Sequence, residues 1–383
     1  MHLIEKAKFP RDKICGDGIS GWVLSVLYKL DKELLKRLNN QPFVLHSFGM
    51  RIVAPNHNVL DLPFYDDGSM PPGVPPGYLC KRMDLDNFLI EEARQKSQIE
   101  ILENTEINGY KRKADGIELT AKDGNSYHSK IVIFANGSNS KFMKDPGGIV
   151  KDKKTTMTGI KTYYKGITGF HKDNYVELHF LKEFLPGYLW LFPLPNGLAN
   201  VGVGIDQHTI GKRKINLKKK MMEAIETVPY LQERFKNAEQ VSPVQALGLP
   251  IWDKKRKISG DHFMLAGDAA SLIDPVTGEG IGHAALSGMF AAFQAIRSIK
   301  EKNFSASFMQ QYDEELYNKI GMELSISHKI PRFIKYSWLF NGVVNKAVNS
   351  KTLQEKLTLA MADLEVRKEL KSPLLYLKVL LGR

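Results

Sequence analysis

An apolar run, Phe263-Met264-Leu265-Ala266, leads into Gly267-Asp268-Ala269-Ala270, and a second run, Asp274-Pro275-Val276-Thr277-Gly278-Glu279-Gly280-Ile281, opens a long apolar stretch. A carboxylate at the C-terminal end of a strand is placed to accept hydrogen bonds from ligand hydroxyls. Gly278 and Gly280 let bare backbone N–H groups approach a planar or anionic group closely, and the N-terminus of the helix behind them carries partial positive charge. A flavin suits both ends. Its ribityl hydroxyls match Asp268, and its reduced ring carries negative charge near N1 and O2 that helix N–H groups stabilise. The competing reading is an ordinary strand, turn and helix in which the glycines fall by chance, a risk every short motif carries.

Other residues invite the same weighing. Glu5 follows the apolar pair Leu3-Ile4, where a strand-end carboxylate can hold a ribose 2′-OH or simply face water. Tyr188, Trp190 and Phe192 alternate along one expected strand and so share a face. That face either packs in a core or forms the apolar wall of a substrate pocket. His283 falls in the first turn of the glycine-opened helix, near a bound ring or packed on the helix face. Cys80 reads as a small buried hydrophobe, whereas Cys15 lies in a glycine-flanked turn.

These residues must be positioned by elements whose periodicity is legible. The spacing of Val23, Leu27, Leu30, Leu34 and Leu38 predicts a helix capped by Ser20. A strand pair follows at 50–62, a Pro/Gly-rich loop at 66–77, and a helix over 84–96 capped by Asp84. Strands are expected at 100–102, 107–112, 117–121 and 130–135. From Thr156 the texture changes to alternating strands at 157–164, 175–181, 188–192 and 198–205, as in a mixed or antiparallel sheet with one buried face. A helix at 217–228 ends before Pro229, and strands at 240–249 and 263–266 follow. The chain from Ser305 onward reads as helical.

Five segments in this order resemble the geranylgeranyl reductase family of FAD-dependent oxidoreductases, which has a para-hydroxybenzoate hydroxylase-like fold. They are the run from Glu5 to Gly18, with Cys15-Gly16-Asp17-Gly18 at its end; Arg82-Met83-Asp84-Leu85-Asp86; Ile131-Val132-Ile133-Phe134-Ala135-Asn136-Gly137; Pro186-Gly187-Tyr188-Leu189-Trp190-Leu191-Phe192-Pro193; and the Asp268 to Ile281 stretch. The resemblance implies an α/β fold in which a FAD-binding Rossmann-like domain is interleaved with a mixed or antiparallel substrate sheet, followed by a helical C-terminal region. The implied divisions are 1–150 and 256–304 for the FAD domain, 151–255 for the substrate sheet and 305–383 for the helices. It also implies that Glu5, Arg11, Gly16, Arg82, Asp268, Pro275, Gly278, Gly280 and Ile281 hold FAD. Tyr188, Trp190, Phe192 and His283 would face substrate, and Cys15 would be the candidate proton donor in the flavin-facing turn.

Two departures accompany the resemblance. Asn136-Gly137 stands where the family has Asp-Gly, and no Gly-x-Gly-x-x-Gly precedes Glu5. That fingerprint opens a βαβ unit of ~30 residues with an acidic residue about 20 positions on. Glu5 occupies the acidic position, so the chain is expected to begin inside the second strand of an N-terminally incomplete FAD domain, with weak flavin retention as a consequence.

Composition narrows the alternatives. The 383 residues are 43% hydrophobic and 25% charged, which suits a large packed core. Two cysteines make a disulfide framework or a cysteine-rich zinc site implausible, and no paired histidine spacing suggests a metal. The net charge of +12 is spread through short clusters without a nucleic-acid-binding motif, so no nucleic-acid partner is expected. No signal peptide or run of about 18 apolar residues is visible, and a cytoplasmic protein is expected. The apolar and basic end at 374–383 suggests peripheral contact with an anionic membrane.

The functional expectation is reduction of isoprenoid carbon–carbon double bonds, with FAD as cofactor and NAD(P)H as electron donor. A flavin-dependent monooxygenase or halogenase of the same fold, and a truncated non-catalytic fragment, are the alternatives.

Overall fold

The computed structural model describes residues 1–64, 73–138, 140–150 and 152–362. Most of the loop expected at 66–77 and the 374–383 end lie outside the described residues. The remainder is an α/β structure with five sheets.

The largest sheet has eight strands. Its order runs Glu239–Gln240, Thr156–Lys165, Leu198–Asp206, Tyr188–Pro193, Val176–His179, Gly49–Val53 and Val59–Pro63, with Gln245–Pro250 also paired to Thr156–Lys165. Neighbours are antiparallel except Val176–His179 with Gly49–Val53, which are parallel. The hairpin Gly49–Val53/Val59–Pro63, counted from sequence with residues 1–150, is therefore hydrogen-bonded into this sheet.

Alternation assigns the two faces of the sheet. Val201, Val203 and Ile205 pack with Leu189 and Leu191 beneath Met221 and Ile225 of the helix Leu217–Thr227. The intervening Asn200, Gly202 and Gly204 are presented to the opposite face.

Two parallel ladders build the other half. His2–Ile4 pairs with Glu100–Leu102, and Val132–Phe134 pairs with Phe263–Leu265. The ladders belong to separate sheets among the described residues. Phe263, Met264 and Leu265 are buried against Leu286 of the helix Ile281–Glu301 and Tyr312 and Leu316 of the helix Ala306–Ser327. Three antiparallel strands, Ile107–Lys113, Gly116–Ala121 and Ser126–Ser129, form the excursion expected between the ladders.

Several boundaries differ from the sequence reading for identifiable reasons. The helix expected from Ser20 to Leu38 is two, Gly21–Leu30 and Lys32–Asn39, because Asp31 adopts an extended backbone and accepts from the Glu33 N–H to start the second. Ser20 does not cap the first, because its hydroxyl donates to the Glu279 carboxylate instead. The helix Arg82–Arg94 begins two residues before Asp84. Pro229, expected as a stop, is the first residue of a further helix, Pro229–Phe235, where its missing N–H costs nothing.

Candidate active site

The strand Phe263–Leu265 ends in a tight turn, Gly267–Ala270, which brings the Asp268 carboxylate, 8% exposed, to the N-terminus of the helix Ile281–Glu301. No side chain caps that helix, so its first N–H groups lack the usual acceptor. The loop before it is held rigidly. Asp274 Oδ1 accepts from the Val276 and Thr277 N–H groups and from the Thr277 hydroxyl, and the Tyr188 hydroxyl donates to the Thr277 carbonyl at 2.6 Å. Gly278 has φ 69°, a left-handed conformation that a side chain would strain.

A cavity lies between this helix end and the large sheet. Asp268, Gly278, Gly280 and Ile281 line one side of it, Cys15, Gly16 and Arg82 a second, and Trp190 with Gly159, Lys161 and Leu249 a third. Eight residues singled out from sequence therefore converge. Glu5, Arg11, Pro275, Tyr188, Phe192 and His283 do not line the cavity. Glu5 accepts from the Ala7 N–H and pairs with Arg11, which reaches on to Asp86, the bidentate partner of Arg82. Phe192 packs beside Gly16 and Gly18, and His283 is buried, with no hydrogen-bond partner for Nδ1 among the described residues.

Sequence reasoning missed a buried polar network under the Cys15 turn. Asp17, fully buried, accepts from the Tyr163 hydroxyl at 2.7 Å, Asn200 Nδ2 at 2.7 Å and the Arg82 N–H at 3.1 Å. Burial pushes its carboxyl up, against the opposing pull of Asn200, Tyr163 and Lys161. Lys161, 1% exposed, donates to the Tyr163 hydroxyl at 2.8 Å and lies 3.6 Å from Asp12. Asn200 also donates to the Cys15 carbonyl and accepts from Trp190 Nε1, both at 2.8 Å, so one amide fixes both the cysteine turn and the indole. The available signal was a charged and an amide residue in mid-strand, Lys161 and Asn200, where a buried face demands partners for both.

Trp190 lies across the neighbouring strand at Gly202, where a Cβ would come within 2.1 Å of the indole and 2.3 Å of the Ile160 carbonyl. Lys13, also missed, places its ammonium 3.5 Å from Asp268. Cys80 is buried, and burial pushes its thiol up, as suits a packing role.

Residues 156–247 match the geranylgeranyl reductase catalytic domain. Over 334 residues the chain is 25% identical to digeranylgeranylglycerophospholipid reductase 2 of Methanosphaera stadtmanae, covering 86% of this chain and 79% of that protein. The chain is similar to the geranylgeranyl reductase family.

A geranylgeranyl bacteriochlorophyll reductase-like protein from Thermoplasma acidophilum has the same fold, with a TM-score of 0.77 at 22% identity over 96% of this chain and 91% of that one. The flavin-dependent brominase Bmp2 shares the fold at a TM-score of 0.73 and 19% identity, over 97% and 85%. The chain is a geranylgeranyl reductase-like FAD-dependent oxidoreductase. The donor set fits that cofactor: an uncapped helix N-terminus beside glycines suits the flavin ring, and a strand-end carboxylate suits its hydroxyls. Among the described residues no helix is long and apolar enough to cross a membrane.

Proposed function

We propose that this protein reduces carbon–carbon double bonds in the isoprenoid chains of a membrane lipid, using FAD re-reduced by NAD(P)H. The observation that carries this reading is the cavity in which an uncapped helix end, the Cys15 turn and the Trp190 face of the large sheet meet. Bound and reduced, FAD supplies a hydride to one alkene carbon while a proton reaches the other. Asp268 would bind the ribityl hydroxyls, and the N–H groups at Ile281 would stabilise negative charge on the ring. Arg82 would neutralise a phosphate or order the cofactor's polar end. Trp190, Leu249 and Ile273 give the isoprenoid an apolar wall that excludes water.

We assign the proton to the Cys15 thiol, which lines the cavity together with Trp190. Glu5 and Arg11 would act at one remove, through the ion pairs that order Asp86 and Arg82. Tyr188 orders the helix-opening loop through Thr277 and carries the aromatic surface on toward Phe180. A cytoplasmic location with peripheral lipid contact follows as part of the same proposal.

The test is an anaerobic assay with reduced protein and a geranylgeranyl lipid, reading the product by mass. Stepwise gain of two hydrogens is expected, and Cys15→Ser should lower turnover with little change in flavin content. Consumption of NAD(P)H only in the presence of oxygen, with peroxide or a hydroxylated or halogenated product, would replace this reading with the monooxygenase or halogenase one.

A further inference from the structure

The helix Ser337–Val348 and the turn before it present Trp338 at 68% exposure and Tyr336 at 48%. Lys335 sits over the Tyr336 ring at 4.7 Å, and Lys329 is exposed nearby in the chain. Between Glu323 and Glu355 the sequence has no Asp or Glu, while Lys329, Arg332, Lys335, Lys346 and Lys351 are all cationic. Exposed indole and phenol rings set among lysines, with no carboxylate in the segment, match the headgroup region of an anionic bilayer in both polarity and charge.

The interior side of this element leads to the cavity. Ile330, Ile334 and Phe340 share one apolar cluster with Phe180, Tyr188 and Trp190. The rings form a continuous series: Phe340 to Phe180 at 4.7 Å, Phe180 to Tyr188 at 5.5 Å, and Tyr188 to Trp190 at 6.4 Å. Trp190 lines the cavity itself. A surface suited to lipid and a site suited to an isoprenoid are thus two ends of one apolar cluster.

We propose that Tyr336 and Trp338, flanked by Lys329 and Lys335, dock the protein on an anionic lipid surface and deliver the isoprenoid end of a lipid toward Trp190. The docking surface stands on its own, and only the delivery step rests on the substrate reading above. Depth of insertion is that of an interfacial element, with rings at the headgroup level and no segment spanning the bilayer.

The experiment is sedimentation of the full chain with vesicles of phosphatidylcholine alone and of phosphatidylcholine mixed with phosphatidylglycerol. Wild type should bind the mixed vesicles at low salt, release as salt rises, and shift its tryptophan emission to the blue, since Trp338 is the most exposed of the four tryptophans. Lys329→Glu/Lys335→Glu should weaken partition by about fivefold for each cation removed, or more. Trp338→Ala/Tyr336→Ala should abolish the emission shift while leaving the melting temperature and turnover of a short, water-dispersed isoprenoid unchanged. Absence of wild-type binding at low salt, or equal binding by both variants, overturns the proposal. So does a self-association that Trp338→Ala removes while vesicle binding persists, which would make the face a contact between copies. Vesicle binding without reduction of any isoprenoid would instead count against the substrate reading and leave the docking surface standing.

Discussion

Asp268 carries two demands at once, since it pairs with Lys13 at 3.5 Å and faces Gly280, where a Cβ would lie 3.2 Å from Oδ1. Removing the carboxylate should cost the ~1.5–3 kcal/mol typical of a hydrogen bond to a charged group, read as a weaker FAD affinity in Asp268→Ala. Gly280→Val should eliminate binding by filling the space beside Asp268 and Ile273, and equilibrium dialysis against FAD measures both. Equal flavin retention in two well-folded variants would remove the assignment. Gly202 makes a comparable steric argument on the sheet. Gly202→Ala places a methyl against both the Trp190 indole and a backbone carbonyl that cannot move aside. A loss of about 1–3 kcal/mol in denaturant unfolding, the usual range for overpacking, should accompany altered tryptophan emission. An unchanged spectrum would mean that the indole does not occupy this position.

At the scale of elements, the loop from Asp274 to Gly280 is braced from three directions: by its own Asp274, by Tyr188 from the large sheet and by Ser20 from the short strand Gly18–Ser20 before the first helix. The Ser20 brace ends on Glu279, whose carboxyl burial pushes up from its ordinary 4.5, with His283 opposing and Glu323 and Asp274 reinforcing. The sign follows directly. A carboxyl with a raised folded-state pKa contributes stability that is fully present below the unfolded value and is lost as pH rises through the folded one. Glu279→Gln keeps an acceptor for Ser20 and carries no charge to bury. Its melting temperature should therefore exceed wild type near pH 7, by on the order of 1–3 °C, and converge with it near pH 4. Thermal melts across that range decide the matter, and a gap that widens toward acid would contradict the assigned direction.

Across the whole molecule, the apolar surface is unevenly covered. Phe293, Ile296 and Ile299 form an exposed stripe at 48%, 64% and 61% on the helix Ile281–Glu301, and Ile133 is exposed at 37% on an edge strand of its sheet. Edge strands and contiguous apolar stripes promote association. Sedimentation velocity should show concentration-dependent self-association of the full chain. Ile296→Glu should move its midpoint upward by about tenfold for each roughly 1.4 kcal/mol lost. A monomer at every accessible concentration, for wild type and variant alike, would show that the stripe has no such consequence.

The order of elements was legible because hydrophobic period alone distinguishes strand from helix. The strands from Thr156 to Asp206, the strand Phe263–Leu265 and the glycine-opened helix lie where their alternation or spacing puts them. Asp268, Gly278, Gly280 and Ile281 were legible for a related reason: a carboxylate and two glycines at a strand-to-helix junction have a local mechanical meaning. The network of Asp17, Lys161, Tyr163 and Asn200 was not, because its members come from separate segments and only the packing of the large sheet against the Cys15 turn makes them partners. The same holds for Gly202, whose purpose is the indole lying across it on the neighbouring strand. It holds too for Glu5 and Arg11, which form an ion pair with each other while Arg11 reaches on to Asp86. Local geometry is encoded by residues adjacent in the chain, whereas the satisfaction of a buried polar group depends on which distant atoms folding brings within 3 Å.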